Sequence, residues 1–194
     1  MPRAPPSRGT TLSRDLTLPL PPAILRQLRA GDSVLLSGEI LTGRDQACAR
    51  LHHMLVREEP LPVCLKESIL YFVGPSPARP GGVIGSAGPT TSGRMNPFLP
   101  ALLMAGLRGF IGKGFIGKEV KSALEECGGV YFGAIGGTGA LLSQCIESAE
   151  VIAFPELLSE AIHRLRLLRF PVIVLHDTRG GDLYELTYGN QHEN

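Results

Sequence analysis

Short apolar runs alternate with glycine- and proline-rich segments along most of the chain, and this pattern predicts strands that alternate with helices. Ser33 to Thr42 is rich in residues that favour strands but is interrupted by Gly38, which predicts two strands or one bent strand. A buried strand is predicted at Ile69 to Val73. Helices are predicted at Asp45 to Arg57, where apolar residues partly follow helical spacing, and at Lys118 to Cys127. Such alternation is typical of an α/β fold.

The rest of the chain continues the pattern less regularly. A strand is predicted at Val83 to Ala87, a helix at Pro155 to Leu165, and a last short strand at Leu183 to Leu186. We expect residues 1–15 to be a disordered tail, residues 16–188 to form one domain, and residues 189–194 to be a C-terminal tail. The remaining predicted elements are helices at Pro22 to Ala30, Pro97 to Ala105 and Gly139 to Cys145, and strands at Arg108 to Ile111, Val130 to Ile135, Val151 to Phe154 and Phe170 to Leu175.

The composition narrows the class of protein. The chain has 194 residues, 43% of them hydrophobic, which suits one globular domain that folds without a disulfide or a structural metal. A formal net charge of +1 gives no overall positive potential that would attract a nucleic-acid backbone, so we expect no nucleic-acid partner. The apolar runs are too short to span a membrane, and the first residues lack the apolar stretch of a secretory signal. We therefore expect a cytoplasmic protein.

The cysteines and histidines argue against a metal site in this chain. The four cysteines form no CxxC pair, and no two histidines have the i, i+4 spacing of a helical metal pair. We expect the thiols to be structural and reduced. No GxSxG motif for a serine hydrolase is present.

Three loops that follow predicted strands carry candidate chemistry: Gly88 to Arg94, Gly112 to Gly117 and Gly136 to Gly139. In open α/β sheets, ligands bind at the carboxyl ends of the strands. The first loop places three hydroxyls before Arg94, a combination that can bind a carboxylate because a guanidinium grips it bidentately. Arg44 follows a glycine in a similar position. A solvated loop, and an Arg44 paired to its neighbour Asp45, remain the alternatives.

The two glycine-rich loops do not match nucleotide-binding motifs. The segment from Gly112 to Lys118 fits GxxxxGK, but Glu119 stands where a P-loop needs Ser or Thr for magnesium. Lys113, between two glycines, can approach a ligand closely. The loop at Gly136 to Gly139 only loosely resembles a dinucleotide loop and is interpreted as a tight turn or as an edge that faces substrate.

Taken together, these segments resemble a known family. The segments are LTGRD from Leu41, GPTTSGRM from Gly88, GKG from Gly112, YFGAIGGTGAL from Tyr131 and FPVIVLHDTRGGDLYE from Phe170. They look like the β subunit of class I, iron–sulfur-dependent fumarases and L-tartrate dehydratases, which in larger single-chain members is the C-terminal domain. The resemblance covers about Thr17 to Glu185.

The resemblance implies a swivelling β/β/α domain like the mobile domain of aconitases. It implies an α subunit that carries a four-iron four-sulfur cluster, a small dicarboxylate substrate, and an assembly that is a homodimer or a heterotetramer. Family contacts carry over to Arg44, Arg94 and Lys113 as substrate-binding residues and to Thr90 as the catalytic base. The implied reaction is the reversible hydration of fumarate to (S)-malate.

The chain departs from the family at Asn96, where many members have an acid, and at His176, where Asp or Asn is common. GRD rather than CRD at Gly43 favours a fumarase-like over a tartrate-like member. An L-tartrate or mesaconate-type dehydratase subunit remains an alternative. So does a stand-alone dicarboxylate-binding module without catalysis.

Overall fold

In the part of the chain that the structure describes, seven strands and six helices form a mixed α/β domain whose sheet closes into a small barrel. The computed structural model describes residues 13–78, 80–135 and 137–189. The strands are β1 (Arg14–Thr17), β2 (Ser33–Thr42), β3 (Ile69–Tyr71), β4 (Gly109–Gly112), β5 (Val130–Gly133), β6 (Ile146–Ala153) and β7 (Ile162–His176). The helices are α1 (Pro22–Leu25), α2 (Asp45–Val56), α3 (Leu99–Met104), α4 (Lys118–Cys127), α5 (Gly139–Leu142) and α6 (Leu183–Tyr188).

The barrel closes because β7 pairs with both ends of a parallel sheet. Strands β2, β3, β4 and β5 lie side by side in parallel, and β7 runs antiparallel to both β5 and β2. Strand β1 extends the sheet beside β2, and β6 extends it beside β7. The register of β2 against β7 shifts between Leu36 and Gly38, so β2 is one bent strand. The α/β class is confirmed, and closure into a barrel is a feature that the sequence did not predict.

The predicted helix at Pro155 to Leu165 is wrong. Residues Pro155–Glu160 form a 3-10 segment, and Ile162 begins β7, a strand of 15 residues. The leucines and arginines here suit a helix by propensity, but pairing with β2 and β6 decides the structure. Arg164 and Arg166 point outward and pair with glutamates of β6.

Two of the predicted strands are wrong as well. Val83 to Ala87 lies in a loop folded back on itself, where the Gly85 N–H donates to the Ser76 carbonyl at 3.0 Å. Residues 183–186 belong to helix α6, because Asp182 caps its start by accepting hydrogen bonds from the N–H groups of Tyr184 and Glu185. In the predicted N-terminal tail, residues 1–12 lie outside the described residues, whereas Arg14 and Asp15 belong to β1. Most of the predicted C-terminal tail, residues 190–194, also lies outside them.

Two apolar layers hold the domain together, and each takes alternate residues of the same strands. One layer is formed by side chains of all five barrel strands, including Leu36, Tyr71 and Phe132. The other lies between the sheet and helices α2, α3 and α4, and includes Leu51 and Phe110. Strands β3, β4 and β5 are buried on both faces, and their sequences are therefore nearly continuous apolar runs.

A buried carboxylate, Asp177, fixes the turn after β7. It accepts hydrogen bonds from the backbone N–H groups of Ala30 at 3.0 Å, Arg179 at 2.8 Å and Gly181 at 3.1 Å. Burial alone would raise the pKa of Asp177, but these hydrogen bonds to its ionised form lower that pKa below its ordinary value. The turn after β7 is therefore held by a charged acceptor.

We expect Asp177→Asn to lower the free energy of unfolding at neutral pH by about 1–3 kcal/mol, because buried N–H donors lose an acceptor. Since the folded-state pKa is depressed, the carboxylate stabilises the fold fully above its unfolded-state pKa of about 3.8 and loses this effect as pH falls through the folded-state pKa. Urea unfolding should show the gap between parent and variant shrinking below about pH 4. The exposed Asp15, paired with Arg169, provides the control Asp15→Asn, which should change little. A gap that is constant down to the acid transition would contradict this assignment.

Candidate active site

The carboxyl ends of the parallel strands bring two distant arginines to one carboxylate. Arg44 follows β2, and Arg94 lies in the 3-10 turn Ser92–Met95 beyond β3. The Arg94 Nε donates to Asp45 Oδ1 at 2.8 Å, and the Arg44 Nε donates to Asp45 Oδ2 at 3.3 Å. Asp45 therefore holds two guanidiniums whose positions in the chain are 50 residues apart. Both contacts use Nε, so the bonds to Asp45 leave out the Nη groups of both guanidiniums.

Glu160 adds a second carboxylate beside Arg44. Its Oε1 lies 3.6 Å from the Arg44 Nε, and its Oε2 accepts a hydrogen bond from the Gln46 N–H at 2.8 Å, in the first turn of α2. Gly74 gives Arg44 its space, because a Cβ at that position would lie 2.7 Å from the Arg44 Nη1. Arg44 therefore contacts the carboxylates of Asp45 and Glu160 and packs against Gly74, with 23% of its side chain exposed.

Thr90 lies where its backbone extends the end of β3. The Thr90 N–H donates to the Phe72 carbonyl at 2.7 Å. Phe72 lies two residues before Gly74, the glycine that leaves space for Arg44. The preceding Gly88 packs against Gly139, whose own Cβ would overlap the Ser86 hydroxyl and the Gly88 backbone. The loop that begins at Gly137 thus packs against the threonine loop as a tight turn, while Gly136 lies outside the described residues.

Lys113 follows β4 and is exposed. It forms a parallel bridge with Thr91, and its carbonyl accepts a hydrogen bond from the Ser92 N–H at 2.8 Å. The structure therefore places all four residues predicted for the site at the carboxyl ends of β2, β3 and β4. Their roles as base and substrate contacts stay predictions.

The structure shows which groups lie beside the two departures from the family pattern. Asn96 Oδ1 accepts a hydrogen bond from the Gly117 N–H at 3.2 Å, at the start of α4. The buried His176 lies at the end of β7 with its Nε2 3.3 Å from Glu125 Oε1, and Glu125 belongs to none of the candidate loops.

The described residues do not fit an iron–sulfur cluster. Within residues 13–78, 80–135 and 137–189, no group of three or more His, Cys, Asp or Glu side chains is arranged to hold a metal ion. All four cysteines are free; Cys48 is buried, and burial raises the pKa of its thiol far above the ordinary value. In the same part of the chain, no helix is long and apolar enough to cross a membrane.

Comparison with known protein families identifies the family of this chain. Residues 6–187 match the family model described as the fumarase C-terminus. The chain belongs to this family. The family resemblance inferred from the loop segments is thereby confirmed.

Relatives within the fumarase family fall into two size classes. Fumarate hydratase 2 of Leishmania major is 36% identical over 84% of this chain, and the aerobic class I fumarate hydratase of Salmonella typhimurium is 34% identical over 94% of it. The matched regions make up 29% and 32% of those proteins, so the chain spans about a third of their length. By contrast, the "Putative L(+)-tartrate dehydratase subunit beta" of Methanocaldococcus jannaschii is 36% identical, and the match covers 83% of this chain and 86% of that protein.

Sequence reasoning missed three features of the site. The pairing of Arg44 with its neighbour Asp45 is one of the alternatives from the sequence, but nothing local indicates that Asp45 also binds Arg94. Glu160 lies in a segment that the sequence predicts as helix. It accepts a hydrogen bond from the N–H of Gln46, which is 114 positions away in the chain. The buried hydroxyls of Ser92 and Tyr131 also lie in this region, and the spacing of the sequence gives no signal that they meet.

Proposed function

We propose that this chain is the β subunit of a two-subunit iron–sulfur hydro-lyase that reversibly hydrates fumarate to (S)-malate. The observation that carries the proposal is the convergence of Arg44 and Arg94 on Asp45 at the carboxyl edge of the barrel. Two fixed guanidiniums beside an exposed lysine are suited to an anionic substrate with more than one carboxylate. Membership of the fumarase family supports the same reaction.

The residues of this chain suit the charge changes of that reaction. Removing a proton from carbon beside a carboxylate builds negative charge on that carboxylate, and fixed cations nearby stabilise it. We propose that Arg44, Arg94 and Lys113 bind and orient the carboxylates. The Thr90 hydroxyl moves the carbon-bound proton, a role that rests on the family resemblance.

We assign the four-iron four-sulfur cluster to an α subunit, since the described residues of this chain do not fit one. The name of one relative supports a separate partner, because a protein 36% identical to this chain is called a subunit beta of an L(+)-tartrate dehydratase. We further propose that the domain swivels against the α subunit, as the mobile domain of aconitases does, and that the complex acts in the cytoplasm.

A reconstitution experiment tests the proposal. The chain is co-expressed with an α subunit from the same organism, the cluster is rebuilt anaerobically, and loss of fumarate is followed by absorbance. We expect turnover by the complex and none by the β chain alone. Turnover by the purified, iron-free β chain would overturn the two-subunit assignment. A complex that binds fumarate without turnover would indicate a dicarboxylate-binding module.

L-tartrate is the second candidate substrate, because the relative of matching length carries the name of an L-tartrate dehydratase subunit. The same complex should be assayed with fumarate, L-tartrate and mesaconate at equal concentrations. The highest kcat/KM identifies the substrate. The GRD sequence at Gly43 leads us to expect fumarate.

A further inference from the structure

A chain of buried hydroxyls joins the loop of Thr90 and Arg94 to the loop of Lys113. The Ser92 Oγ donates to the Tyr131 hydroxyl at 3.0 Å, and the Tyr131 hydroxyl donates to the Gly114 carbonyl at 2.8 Å. Ser92 belongs to the arginine-bearing turn and Gly114 directly follows the lysine. Tyr131 comes from β5, a third element, and adds a side-chain bridge between two loops whose backbones already meet at Ser92 and Lys113.

Burial makes these hydrogen bonds strong. Ser92 is 0% exposed and Tyr131 is 1% exposed, so water does not compete for either hydroxyl. Burial raises the pKa of Tyr131 far above its ordinary value, although the bond from Ser92 lowers it somewhat, and the phenol therefore stays protonated and able to donate. The Tyr131 ring packs against Phe110 with centroids 4.8 Å apart, which fixes the direction of the hydroxyl.

The backbone around Lys113 needs this support. Gly114 has a φ of 80°, a conformation that glycine adopts freely, so the residue itself does little to restrict the loop. Gly112 leaves space for Ser92, because a Cβ there would overlap the Ser92 hydroxyl. The Lys113 carbonyl is bonded to the Ser92 N–H, and the next carbonyl, that of Gly114, is bonded to Tyr131.

We infer that Tyr131 is a positioning residue for Lys113: its buried hydroxyl, joined to Ser92, holds the lysine loop in register with the loop of Thr90 and Arg94. Tyr131 does not reach the substrate and acts through Lys113. The kinetic consequence rests on the proposed function, whereas the structural consequence does not.

The kinetic test is a double-mutant cycle on the reconstituted complex. Tyr131→Phe removes one hydroxyl and should lower kcat/KM for fumarate by about tenfold, since small displacements of a substrate-positioning group are costly. Lys113→Met alone should lower kcat/KM by more than Tyr131→Phe alone. Because Tyr131 acts through Lys113, adding Tyr131→Phe to Lys113→Met should have almost no additional effect. Additive losses, or an unchanged Tyr131→Phe variant, would overturn the inference.

The structural test measures hydrogen–deuterium exchange in the β chain alone, without substrate. Tyr131→Phe should speed exchange in the segment 112–116, with Ser92→Ala producing a smaller effect there because the bond from Tyr131 to the Gly114 carbonyl survives. Tyr71→Phe is the matched control: it removes a buried hydroxyl that donates to the Ala87 carbonyl, and should leave exchange at 112–116 unchanged. Equal acceleration in both tyrosine variants would indicate a general loss of stability and overturn the inference.

The two tests separate the possible failures. If the parent complex does not turn over fumarate, the proposed function fails, and the exchange experiment still decides whether Tyr131 holds the lysine loop. If the parent is active and exchange at 112–116 responds to Tyr131→Phe but the kinetic losses are additive, the loop is held by Tyr131 without consequence for Lys113, and the positioning role is wrong.

Discussion

Replacing Arg94 with lysine should lower kcat/KM of the reconstituted enzyme by about 30- to 700-fold, which corresponds to about 2–4 kcal/mol of transition-state binding. The Arg94 Nε is engaged by Asp45 at 2.8 Å, so a guanidinium can hold that carboxylate and still present its Nη hydrogens to the substrate. A lysine ammonium is a single point of charge, and cannot pair with Asp45 and grip a second carboxylate bidentately. Because 52% of the Arg94 side chain is exposed, the variant should remain folded.

A second arginine of the same region provides the control. Arg50 on α2 pairs with Glu156 and stacks over Phe154, with its guanidinium carbon 5.0 Å from the ring centroid. Arg50→Lys makes the same chemical change without touching the candidate site, and should leave kcat/KM close to that of the parent. If Arg94→Lys behaves like Arg50→Lys, Arg94 is a surface residue and its assignment to the substrate is wrong.

The location of the candidate site could be predicted because it follows from topology. Residues that follow β2, β3 and β4 must meet at one edge when those strands are parallel, whatever the details of packing. Helix α4 was predicted with the limits that the structure has, since Gly117 and Gly128 bracket its apolar face. The loops that carry Thr90, Arg94 and Lys113 could therefore be grouped from the sequence pattern, whereas the choice of the individual site residues, Arg44 included, comes from the family resemblance.

Features that depend on pairing across the chain could not be predicted. The segment from Arg164 to Phe170 is rich in leucine and arginine, and only its neighbours β2 and β6 make it a strand. Phe170 to Leu175 was predicted as a strand, but nothing in the sequence indicates that it pairs with both β2 and β5, which closes the barrel. The link from Asp45 to Arg94 and the hydroxyl chain through Tyr131 likewise depend on side chains that meet only after the sheet has formed.

The largest effect is expected at Thr90, where a role in proton transfer can be separated from a role in binding. Thr90→Val keeps the shape of the side chain without the hydroxyl, and Thr90→Ser keeps the hydroxyl. Neither change removes the bond from the Thr90 N–H to the Phe72 carbonyl, so the loop should stay in place. If the hydroxyl moves the carbon-bound proton, valine should lower kcat by about 100-fold or more while serine retains much of it, because acid–base catalysis typically contributes 10²–10⁴-fold.

Isotope exchange distinguishes this role from simple binding of substrate. Exchange of the carbon-bound hydrogen of malate with deuterated solvent should collapse in Thr90→Val together with kcat. A variant whose KM rises while kcat is unchanged would show instead that the hydroxyl only binds substrate. The neighbouring Thr91→Val then becomes the decisive comparison: Thr91 is exposed beside Lys113, and a loss of kcat and of exchange confined to that variant would move the base by one residue along the same loop.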